Sequence, residues 1–189
     1  MKIILTFFFL FFTSKILADD ISNFQIEGMS VNDSLLDYFT KEEINNAHHN
    51  YYDWINPKKF YDITLFKESS NFEIYDGVQI ALMLNDDNFI IYALDGAMVL
   101  KNNEDCDKKI QSISNDIVSL FSLANKVAQI KESHPEDSSG KSITWGNAFF
   151  LNNGEGDISV RCYIWSDTMP YVDNYRVSVR TTVYGDWLK

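Results

Sequence analysis

Six residues near the carboxyl end carry the most chemistry: Arg161, Tyr163 and Trp165, then Arg176, Arg180 and Tyr184. Arginine grips anionic groups through a planar fork of donors, while tyrosine and tryptophan supply rigid contact area. Arg161, Tyr163 and Trp165 alternate with Val160, Cys162 and Ile164, which is the period-two pattern of a strand with one apolar face. On a following strand Val177, Val179 and Val183 are expected inward, leaving Arg176, Ser178, Arg180 and Tyr184 outward. If the two strands pair, three arginines and three aromatics share one face. That face is the expected binding surface, for an envelope protein or a small anionic ligand.

Motifs for catalysis are missing from the sequence. It contains no Gly-x-Ser-x-Gly, no Gly-rich phosphate loop and no Cys-x-x-Cys. His48 and His49 are adjacent, so they point in different directions, and His134 lies far along the chain. No metal centre and no cofactor is expected from them. Asp86-Asp87-Asn88 and the run 153–157 lack the alternating oxygen ligands and closing Glu of a calcium loop, and read as turns. No catalytic residue is therefore assigned. The alternatives are a small envelope hydrolase, with a Ser–His pairing through His134, and a structural component of the envelope.

Cys106 opens an apolar stripe at helical spacing: Ile110, Ile113, Ile117, Leu120, Ala124 and Val127. Cys162 lies on the apolar face of its strand. A helix and a sheet pack apolar face to apolar face, so both sulfurs enter one layer. One disulfide between Cys106 and Cys162 is expected, with two separate buried thiols as the alternative.

These residues need elements to hold them. Two short amino-terminal helices are expected, over about 32–39 and 41–48, the second opened by a Thr40/Glu43 capping box. Strands follow at 60–66, 72–84 and 89–100, then a long helix over about 104–131 capped by Asn102 or Asn103. Three more strands are expected at 143–152, 157–166 and 175–185. Short turns between consecutive strands make them antiparallel. The expected fold is α+β: one antiparallel sheet of about six strands in β-β-β-α-β-β-β order, packed on one long helix.

The chain opens as a secretory signal peptide would. Met1-Lys2 is followed by an apolar run from Ile3 to Phe12, then Ala18 before Asp19-Asp20. The run is about half the ~20 residues that a spanning helix needs, so cleavage after Ala18 is expected, with no stable membrane insertion afterwards. The expected division is residues 1–18 as leader and 19–189 as one domain. Without Lys2 and Lys15, 14 basic residues face 27 acidic ones. Such a charge repels phosphate backbones, so no nucleic-acid partner is expected. The expected location is the periplasm or the exterior.

The run Phe24-Gln25-Ile26-Glu27-Gly28-Met29-Ser30-Val31-Asn32-Asp33-Ser34-Leu35-Leu36-Asp37-Tyr38-Phe39, after the Ala18-Asp19-Asp20 cut site, resembles the start of small uncharacterised exported proteins from AT-rich marine alphaproteobacteria. The resemblance covers the amino-terminal third. It implies a Gram-negative periplasm and brings no known active site.

Overall fold

The computed structural model describes residues 20–101 and 106–189. The expected leader, 1–18, and the expected helix start at 102–105 lie outside the described residues. The eight strands among the described residues join one antiparallel sheet: β1 (His48–Tyr51), β2 (Phe60–Phe66), β3 (Gly77–Met83), β4 (Ile91–Val99), β5 (Asn125–Ser133), β6 (Ile143–Phe150), β7 (Gly156–Ile164) and β8 (Asn174–Thr181). Their order across the sheet is β1-β2-β3-β4-β8-β7-β6-β5. The last strand is thus central, and it joins two meanders that run outward to opposite edges. The helices among the described residues are α1 (Lys41–Asn46), α2 (Lys67–Ser70), α3 (Cys106–Leu120) and α4 (Thr182–Trp187).

This corrects the six-strand expectation. The fold is mostly β, with only one described helix longer than six residues. The long helix ends at Leu120 because its apolar stripe stops being covered there: Ile117 is buried but Leu120 is 66% exposed. Phe121 turns into the core, and Asn125 begins an edge strand rather than another helical turn. The β-branched Val127 and Ile130 suit that strand, and pairing with β6 decides between the two patterns.

Three further differences have local causes. The expected strand at 72–84 begins only at Gly77, after α2 and a left-handed Asn71 (φ 53°) break the run. The connector at 48–51 is β1, held on β2 by a ladder from His48↔Thr64 to Tyr51↔Tyr61. The first amino-terminal helix shrinks to a single 3-10 turn, Leu35–Asp37, capped by Ser34. The Thr40/Glu43 capping box, in contrast, opens α1 as expected.

One face of the sheet is covered. Ile63, Val78, Ile80, Leu94, Ile158, Val160, Val177 and Val179 pack there beneath α3 and beneath Ile21, Ile26, Met29, Val31 and Leu35 of the amino-terminal segment. Glu27 fastens that segment, its carboxylate accepting from the backbone N–H groups of Glu73, Ile74 and Tyr75 at 2.9, 2.8 and 2.7 Å. The Cys106–Cys162 disulfide joins the first turn of α3 to β7, with Cα atoms 6.2 Å apart. One buried polar pair crosses the same layer, Asn147 Nδ2 donating to Ser114 Oγ at 2.8 Å. Among the described residues no helix is long and apolar enough to cross a membrane.

Candidate binding site

The opposite face is polar, and the strand register builds it row by row. One row across the strands reads Asp62, Ala81, Ala93, Arg180, Asp157. The next reads Gln79, Asp95, Ser178, Ser159, Ala148. A third reads Ala97, Arg176, Arg161, Gly146, Gln129. Ala81, Ala93, Ser178, Ser159 and Ala148 of the first two rows leave a concavity of about 250 Å³ walled by longer polar residues.

Each arginine of the face has a carboxylate partner. Arg176 Nη1 donates to Asp95 Oδ2 at 2.9 Å, and Ser178 Oγ donates to the other oxygen at 3.0 Å. Asp95 lifts the Arg176 pKa further, so that guanidinium stays charged. Arg180 Nε reaches both oxygens of Asp157, at 2.8 and 3.0 Å. Arg161 Nη2 lies 3.3 Å from Glu132 Oε1 on the edge strand.

Gly146 makes that last contact possible. A Cβ there would sit 3.0 Å from Arg161 Cγ and 2.0 Å from the Val160 carbonyl oxygen, so only glycine lets Arg161 lean across β6. Among the described residues, neither Arg161 Nε nor Gln129 Oε1 has a hydrogen-bond partner, although both atoms are buried. Both residues line the concavity.

Aromatic groups close the two ends. At one end Tyr163 stacks on Trp165, with ring centroids 6.0 Å apart, and His134 and Tyr171 pack on Trp165. The Arg161 and Arg176 guanidiniums lie 5.9 and 5.5 Å from the Tyr163 ring centre. Burial lowers the His134 pKa and raises that of Tyr163, so both favour their neutral forms.

At the other end α4 folds back over Phe60, Ala81 and Ala93. Thr181 caps this helix, accepting from Tyr184 N at 3.4 Å. The Tyr184 hydroxyl donates to Asp62 at 3.2 Å and lies 3.0 Å from the hydroxyl of Tyr52, which donates to the same carboxylate. Asp62 is only 3% exposed. Burial pushes its pKa up to about 6, against the opposing pull of the two phenols. Burial and the nearby carboxylate push both phenol pKa values up as well.

Arg161, Tyr163, Arg176 and Arg180 therefore share one face, as the alternation implies, and Trp165 extends it. Tyr184 reaches the same concavity by another route: it belongs to α4, not to an outward strand position, and Val183 faces solvent instead of the core. The three arginines do not make the face locally basic, because Asp95, Asp157 and Glu132 each sit against one of them. Asp157 had a visible signal, the alternation 157, 159, 161, 163 along β7. Asp95 had a weaker one, between Ala93 and Ala97. Asp62, Tyr52 and Gln129 had none, since only long-range pairing brings them in.

Comparison with protein-family models, with curated proteins and with solved structures gives no similar protein. The residues of the trough are the whole basis for a functional reading.

Proposed function

We propose that this chain is a soluble binding domain of an oxidising compartment outside the cytoplasm, the periplasm of a Gram-negative cell, and that its trough holds a small ligand. The observation that carries this is the trough itself: a floor of small residues ringed by side chains already fixed by partners. Fixed donors and acceptors lose little entropy when a ligand arrives. The volume of about 250 Å³ lies just under the ~300–1,000 Å³ of ordinary ligand pockets, which favours a small molecule over a protein surface. The disulfide supports an oxidising location.

A melting-temperature screen of the oxidised protein against small polar molecules tests the proposal. Ligands that raise the melting temperature should lose that effect in Ser159→Trp, which places a ring on the floor. A response that survives this substitution would assign the ligand to another surface.

A second reading, acid–base chemistry, has one observation in its favour: a carboxyl with pKa about 6 beside two phenols. Yet both Asp62 oxygens are taken by those phenols and the residue is nearly sealed from solvent. The cluster serves better as the polar pin that holds α4 on the sheet.

A further inference from the structure

We infer that the trough takes a neutral, polyhydroxylated ligand of the carbohydrate class rather than an anion. The inference rests on the trough being the binding site and names what fills it. Charge is the first argument. Arg161, Arg176 and Arg180 are matched one to one by Glu132, Asp95 and Asp157. No excess positive charge remains in a chain whose formal net charge is −11, so an anion gains nothing locally and is repelled at long range.

Hydrogen-bond polarity is the second argument. Arg161 Nε offers a proton and Gln129 Oε1 needs one; both atoms lie without partners just beneath the surface of lining residues, so a small turn of either side chain brings them to a ligand. A carboxylate can only accept, so it would leave Gln129 Oε1 empty. An ammonium can only donate, so it would leave Arg161 Nε empty. A hydroxyl does both.

The shape of the lining groups is the third argument. Asp95, Asp157, Arg180, Gln79 and Gln129 all line the same space and carry planar, two-pronged ends. Such ends engage two adjacent hydroxyls at once, as a vicinal diol offers them. Spare lone pairs on the ion-paired carboxylates remain available for this, because each oxygen can accept more than one bond.

The test is an amide chemical-shift titration of the disulfide-intact protein. One arm uses glucose, galactose, maltose and cellobiose at high millimolar concentration. The other uses succinate and inorganic phosphate. The expected result is saturable shifts at Gly146, Ser159 and Arg161 from at least one sugar, with an affinity that added salt leaves unchanged. Gln129→Ala should weaken that binding by about tenfold, the loss of one buried hydrogen bond, without changing the melting temperature of the free protein. Shifts at the same amides from succinate or phosphate, weakening with salt, would overturn the ligand class and leave the trough as the binding site. Silence of these amides toward every sugar and both anions would overturn both.

Discussion

Along β7 and β8 neighbouring residues live in opposite environments. Val160, Cys162, Val177 and Val179 are buried under α3 and the amino-terminal segment. Arg161, Tyr163 and Ser178, one position away, line the trough, and Arg176 stands on the same face beside it. The covered face is held by apolar burial and a covalent bond, neither of which relies on a charge that pH can remove or a Debye atmosphere can screen. The open face is held by paired charges and hydrogen bonds, which depend on both. Stability and recognition are therefore carried by different chemistry on the same strands, and each can be attacked separately.

The largest effect is expected on the covered face. Replacing both Cys106 and Cys162 by serine removes a link between residues 56 positions apart. On the chain-entropy model that lowers unfolding stability by about 4 kcal/mol. Urea denaturation should show it, and any ligand response of the trough should survive wherever the variant is folded. A loss of that response in folded protein would show that the two faces are not separable.

The next effect belongs to Asp62. Its carboxyl ionises near pH 6 when folded and near its ordinary value of 3.8 when unfolded. Between those values the folded chain holds a proton that the unfolded chain has released, so stability falls as pH rises through this window. The drop is about 3 kcal/mol, from roughly two pKa units at 1.36 kcal/mol each. Asp62→Asn should flatten the melting-temperature profile between about pH 4 and pH 6. A profile that keeps its slope would assign the titration to another group.

The smallest effect is that of an ion pair on the open face. Asp95→Ala leaves Arg176 partly covered and without its carboxylate, though Gln79 and Asn174 remain in reach. Solvent reaches both side chains of the pair, so a loss of only about 1 kcal/mol is expected by urea denaturation. High salt should shrink that difference, whereas it should leave the disulfide effect intact.

Asp137 sharpens the contrast with Asp62. It too is buried by its loop. Its oxygens accept from Ser142 Oγ, Ser139 N, Ser166 Oγ and Ser142 N, at 2.6 to 2.9 Å. These donors hold its carboxyl well below the usual range, led by the Ser142 hydroxyl. Desolvation dominates at Asp62, beneath α4, whereas the serine donors dominate at Asp137, in its loop. The balance of desolvation against donors decides which way each carboxyl moves.

What could be read from the chain follows the range of the interactions involved. Alternation is local, so β2 and β7 and their inward residues were legible, as was the cap at Thr40. The disulfide followed from two local patterns sharing one layer. The second half of the expected helix was not legible, because Val127 and Ile130 satisfy a helical stripe and a strand alike. Pairing with β6 settles the matter, and that is a tertiary fact. The arginines were legible as an outward set, but their neutralisation was not. It depends on β8 lying between β4 and β7, which places Asp95 and Asp157 on either side of the arginine strand.

An open sheet ends in two rims that could recruit further strands. The β1 rim is four residues long, too short to template much. The β5 rim is nine residues long and exposed along almost its whole length, but its register against β6 slips between Gln129 and Glu132. Lys126 and Lys131 also stand on it, lying over the rings of Phe149 and Trp145. A kinked, lysine-bearing border is a poor template for growth into fibrils or ribbons. Its longest backbone border, exposed among the described residues, thus carries its own barrier to edge-to-edge growth.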